Sequence, residues 1–125
     1  MERNRLTIPK EIISMKRIYK VYILKLLSEN KKVYGLEIRD KVEEHFKNSH
    51  FKTSHTTIYE SLHQLEEDGY VVSTWDSETS TMNRGKRLYR ITDAGLKYFQ
   101  IVEKETVDAL LKNKNIVDKL IELFV

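Results

Sequence analysis

The most restrictive feature of this chain is a change of hydrophobic period at Gly69. Before it, Ile58, Leu62 and Leu65 recur at helical spacing. Immediately after it, Tyr70-Val71-Val72-Ser73-Thr74-Trp75 is an aromatic and β-branched run of the kind that forms strands. A helix that stops at Asp68-Gly69, where a left-handed cap residue is expected, hands the chain straight to a sheet. Ser54 or Thr53 is placed to cap the start of that helix, with Phe51 as the apolar residue just ahead of it. A second strand-like run, Arg87-Leu88-Tyr89-Arg90-Ile91, follows the polar segment Asp76 to Lys86, so the two runs form a hairpin.

Two further helices precede this unit. From Glu11 to Ser28, Ile12, Met15, Tyr19, Tyr22, Ile23, Leu26 and Leu27 recur in steps of three and four, and Pro9 suits a first helical turn. A second, shorter helix opens at Gly35 and carries Ile38, Val42 and Phe46 on one face. After the hairpin, Thr92-Asp93 caps a last helix. In it Leu96, Phe99, Val102, Leu110, Val117, Leu120 and Phe124 thread onto one stripe, and Asn113-Lys114-Asn115 is a point where it would bend or break. That helix has few residues with which to fold back on the core, and its near-heptad spacing suits pairing with a second copy.

The order of elements is that of a winged helix-turn-helix: mainly α with a small β hairpin, an α+β fold extended by a long C-terminal dimerisation helix. We divide the chain into a DNA-binding domain with a basic arm at 1–92 and a dimerisation helix at 93–125. At 125 residues there is room for one core and one appendage.

Composition excludes more than it proves. The absence of cysteine removes disulfides, thiolate metal sites and cysteine nucleophiles. Only 4 glycines are present, with no phosphate-cradling loop and no assembled nucleophile, base and oxyanion motif, so we read no enzyme. No apolar run serves as a signal peptide or membrane span, and the expected location is the bacterial cytoplasm, in association with the nucleoid.

A net charge of +3 leans towards a polyanionic partner, and its distribution says more. Cations gather at Arg3, Arg5, Lys10, Lys16, Arg17 and Lys20, and again at Arg84, Lys86, Arg87 and Arg90. Between Thr53 and Asn83 there is no Lys or Arg. The helix expected in the major groove is therefore uncharged by cations, and the arm, first helix and wing must anchor it. Lys16, Arg17 and Lys52 with Arg84, Lys86 and Arg87 are assigned to phosphate. Thr53, Ser54, His55, Thr56, Thr57 and Tyr59 are assigned to phosphates and base edges. Glu60, Glu66, Glu67 and Asp68 lie further along and would repel phosphate unless turned away, which places only the N-terminal half of the helix in the groove. The competing reading of the hydroxyl cluster is simple capping, which is compatible with DNA contact; that of the wing is a solvated loop.

Other constellations point to blander roles. His45, His50 and His55 are five residues apart, a spacing that does not put metal ligands on one helical face, and we assign no metal and no cofactor. Tyr19, Tyr22 and Tyr34 fall on or beside inward stripes and read as core rather than as base-stacking platforms. Trp75 reads as packing rather than as the wall of an effector pocket; no small-molecule effector is assigned.

Against this background the run Thr57-Ile58-Tyr59-Glu60-Ser61-Leu62-His63-Gln64-Leu65-Glu66-Glu67-Asp68-Gly69 resembles the recognition-helix signature of PadR-like transcriptional regulators. The stretch Arg84 to Gly95 is similar to that family's wing strand and following helix start, and Tyr34-Gly35-Leu36-Glu37-Ile38 extends the likeness. The resemblance implies a homodimer that binds operator DNA, usually as a repressor. His55-Thr56 stands where the family commonly has Gly before its Thr-x-Tyr triplet, and Tyr34-Gly35-Leu36 replaces the usual His-Gly-Tyr. These departures, with Phe51-Lys52 and the basic arm, resemble the bacterial replication terminator proteins instead. A regulator and a terminator share the same DNA chemistry; a protein-interaction module, pairing its last helix with a foreign one, is the reading from another class.

Overall fold

The computed structural model describes residues 12–75 and 87–125. Pro9, the arm cations Arg3, Arg5 and Lys10, and the loop residues Arg84, Gly85 and Lys86 lie outside them. The order is α1 (Met15–Glu29), β1 (Val33–Tyr34), α2 (Gly35–Phe46), α3 (His55–Glu67), β2 (Val71–Trp75), β3 (Arg87–Ile91) and α4 (Asp93–Glu122). This is the winged-helix arrangement: helices packed on a small antiparallel sheet of order β1-β3-β2.

Most boundaries follow from local chemistry. The α1 helix starts later than the Glu11 expected from periodicity, because the Ser14 side chain accepts a hydrogen bond from the Arg17 N–H and fixes the cap there. Ser54 caps α3 in the same way, accepting from the Thr57 N–H at 3.2 Å. At the other end Gly69 takes φ +83°, the Tyr70 N–H reaches the Leu65 carbonyl at 3.0 Å and the Gly69 N–H reaches that of Glu66 at 3.1 Å. That pair of bonds is the αL termination that a glycine makes possible.

The expected two-stranded hairpin is one strand short. Val33 and Tyr34 pair with Tyr89 and Leu88, adding β1 to the sheet, while β2 and β3 run in register from Val71 opposite Ile91 to Trp75 opposite Arg87. Two residues carry no period, so β1 leaves no pattern to read.

The core is contiguous: Tyr19, Ile23, Leu24 and Leu27 of α1 pack with Ile38 and Val42 of α2, Ile58, Leu62 and Leu65 of α3, and Val33, Val71 and Tyr89 of the sheet. Contrary to expectation, α4 folds back on this core. Phe99 and Val102 are buried, as are Thr106 and Asn113 further along, and α4 packs along α1. The helix also runs unbroken through Asn113-Lys114-Asn115. The modest helical cost of asparagine, about 0.5 kcal/mol, is offset by a tertiary bond, because the Asn113 Oδ1 accepts the Ile13 N–H at 2.9 Å.

The start of α4 is stitched to the end of α3. The Thr92 hydroxyl donates to the Gly69 carbonyl at 2.8 Å and accepts from the Gly95 N–H at 3.0 Å, the Thr92 N–H donates to the Tyr70 carbonyl, and the Tyr70 and Tyr98 rings stack 4.1 Å apart. Gly95 is there for space: a Cβ would sit 2.1 Å from the Tyr70 carbonyl oxygen. Gly95→Ala is therefore expected to destabilise the fold by about 3 kcal/mol, at the upper end of ordinary overpacking costs. Denaturant unfolding checks this; a change below about 0.5 kcal/mol would mean that α4 does not press on the α3–β2 junction as described.

Candidate nucleic-acid interface

The outward face of α3 is built from the cap upward. Tyr19, buried in α1, accepts the Ser54 N–H through its phenol oxygen at 3.4 Å, so the core itself positions the cap residue. Thr57 donates its hydroxyl to the Ser54 Oγ at 3.1 Å, and Ser61, buried one turn on, donates to the Thr57 carbonyl at 2.7 Å. Ile58, Leu62 and Leu65 take the inner face, leaving Thr56, Tyr59, Glu60, His63 and Glu67 turned to solvent.

An open hollow of about 700 Å³ lies over this face, lined by Lys16 of α1 and by His55, Thr56, Tyr59, Glu60, His63, Gln64 and Glu67 of α3. Of the residues assigned from sequence, Lys16, His55, Thr56 and Tyr59 thus come together. Lys52 and Thr53 line a neighbouring hollow on the α2 side, with Glu43 and His50. His55 pairs with Glu43 through Nε2 and Oε2, joining α2 to α3.

Two assigned cations are already engaged within the molecule. The Arg17 guanidinium lies 3.8 Å from the Glu105 carboxylate, linking α1 to α4. At the base of the wing the Arg87 guanidinium sits 4.4 Å above the exposed Trp75 ring, a cation–π contact. Trp75 is thus a shelf for arginine rather than buried packing. Tyr89 lies beside Arg87, and burial pushes its phenol pKa up despite that neighbouring positive charge.

The carboxylates divide differently from expectation. Glu66 is turned away, its Oε2 accepting the Ser73 hydroxyl at 2.7 Å and the Ser73 N–H at 3.2 Å. Glu60 and Glu67, however, share the outward face with Thr56, since four residues is one helical turn. Glu60, His63 and Gln64 extend the face beyond the N-terminal half of the helix; their spacing from Thr56 and Tyr59 was the signal available in the sequence. The histidines serve separate contacts: His45 packs edge-on against Phe46, and His63 lies 3.2 Å from Glu67.

Leu96, Leu110, Val117, Leu120 and Phe124 of the assigned dimerisation set are exposed, whereas Phe99 belongs to the core of the chain itself. No helix among the described residues is long and apolar enough to cross a membrane.

The polar, capped third helix and the long terminal helix place the chain in the winged-helix class of proteins, and the comparisons narrow it. The PadR-like family of transcriptional regulators matches residues 23–101, from the middle of α1 into α4. The chain belongs to that family. Among solved structures, a transcriptional regulator from Clostridium thermocellum is 28% identical, with a TM-score of 0.61 over 86% of this chain and 97% of that one. A PadR-like regulator from Bacillus cereus shares the fold at 22% identity, with a TM-score of 0.61 over 82% of this chain and 94% of that one. The replication termination protein of Bacillus subtilis is 33% identical over 58 residues, covering 46% of this chain and 47% of that protein. The chain thus spans about half the length of the curated relatives it matches.

Proposed function

We propose that this chain is a double-stranded DNA-binding repressor that acts as a homodimer in the bacterial cytoplasm, with the outward face of α3 in the major groove. The observation that carries the reading is the construction of that face. A capped helix start, tied to the core through Tyr19, presents His55, Thr56 and Tyr59 beside Lys16, without arginine or lysine of its own. Free N–H groups at such a helix start favour phosphate, and short polar side chains reach base edges. Lys16, Lys52 and the wing cations Arg84 and Lys86 supply the attraction that the helix lacks, while Thr53, Ser54 and Thr57 hold its entry. Arg87, held on Trp75, stiffens the wing base. The exposed apolar stripe of α4 is the seat of the second copy.

The local likeness to a replication termination protein favours a second reading, in which the same surface binds terminus DNA and arrests a replication fork. Selection of fragments retained from the host's genomic DNA separates the two. Fragments upstream of promoters are expected. Inverted sites clustered at the replication terminus would transfer the protein to the second reading, and retention of no duplex at low salt would remove DNA from the account.

A further inference from the structure

We infer that Glu60 is a specificity-determining residue that reads a cytosine in the major groove, an inference that rests on the DNA-binding reading of α3. Glu60 lies one turn beyond Thr56, on the same exposed face and in the hollow shared with Lys16. The other glutamates around this face are occupied. Glu43 is paired with His55, Glu67 lies 3.2 Å from His63, and Glu66 accepts both polar hydrogens of Ser73. Glu60 makes no hydrogen bond or ion pair among the described residues.

A free carboxylate on a groove-facing helix either keeps the helix out or meets a donor on the groove floor. Phosphates line both walls and repel it, so the floor is where it is stabilised, and only exocyclic amines donate there. Adenine N6 stands beside the N7 acceptor, whose lone pair opposes the second carboxylate oxygen. Cytosine N4 has no acceptor beside it on its own ring, so cytosine is the base that a carboxylate accepts. Lys16, across the hollow, offsets the charge as the helix approaches the walls. The residue therefore acts in two directions: it rewards one base and penalises duplexes that lack it.

The test is selection from a randomised duplex library by the full chain, with wild type, Glu60→Gln and Glu60→Ala side by side. The side chain is exposed, so both variants are expected to fold. Wild type is expected to require cytosine at one position of each half-site, another base costing roughly 5- to 150-fold in affinity. Both variants lose that preference and keep the others, and Glu60→Ala binds unselected duplex several-fold more tightly because a repulsion is gone. Identical base preferences in all three proteins would overturn the role of Glu60 while leaving DNA binding intact. Failure of the wild type to retain any duplex would overturn the DNA-binding reading, and this inference with it.

Discussion

Replacing Val117 and Leu120 together by aspartate is expected to turn the protein into a monomer and to lower its affinity for duplex DNA by roughly 100- to 10,000-fold, the range over which linked half-sites strengthen binding. The α4 helix runs antiparallel to α1: Lys25 lies near Glu103, Arg17 near Glu105, and Ile13 bonds Asn113. One face of α4, carrying Phe99, Val102, Thr106 and Asn113, is covered within the same chain. Past Asn113 that face continues as Val117, Leu120 and Phe124, which remain 42%, 48% and 87% exposed, with Leu110 on its edge 43% exposed. From Asn113 to the end of α4 at Glu122 the helix projects about 14 Å beyond the described start of α1. The same stripe is thus satisfied at one end and bare at the other, and the bare end is the surface on which the proposed dimer rests. Each large apolar side chain fully buried there contributes about 1.5–3 kcal/mol, and two aspartates per subunit replace that gain with desolvation costs. Light scattering at micromolar concentration reads the outcome. An intact dimer would put the interface elsewhere and return Val117 and Leu120 to ordinary exposed positions.

The second large effect is electrostatic. Arg84→Ala with Lys86→Ala removes four cations from a dimer, and if each meets a phosphate, the slope of log affinity against log salt flattens by roughly 3 to 4 units. Affinity falls for every duplex alike, since phosphate contacts position the protein without reading sequence. Arg87→Ala is expected to change the slope less, because its guanidinium is committed to Trp75. An unchanged slope in the double variant would leave the arm and α1 as the anchors and make the wing a solvated loop. The wing variants are expected to weaken binding to all sequences without changing the preferred base, whereas only the Glu60 variants are expected to change the preference among them.

How much of this was legible beforehand depends on the range of the interactions. Caps are local, so Ser54, Gly69 and Thr92 announce the ends of α3 and the start of α4 from their immediate neighbours. Ser14 caps α1 by the same chemistry, yet the apolar period runs on past it to Ile12 and hides the boundary. The continuity of α4 through Asn113 was not readable, because the bond that offsets the asparagine comes from Ile13, 100 residues away in sequence. Phe99 and Val102 fit a dimer stripe as well as a core stripe; only the position of α1 decides between them. At the candidate interface, the polar character of α3 was plain, whereas the fate of each carboxylate was not. Whether a glutamate faces a groove or a serine depends on a strand that arrives after the helix has ended, as Glu66 and Ser73 show.

The central claim is that a twofold particle, held by cations outside its reading helix, sets short polar side chains against base edges. The most direct test is the mass of the complex formed with a selected duplex, followed as salt is raised. The account predicts two chains on one duplex, half-sites about 34 Å apart or a multiple of it, and steep dissociation with salt. One chain per duplex, or binding indifferent to ionic strength, would contradict it.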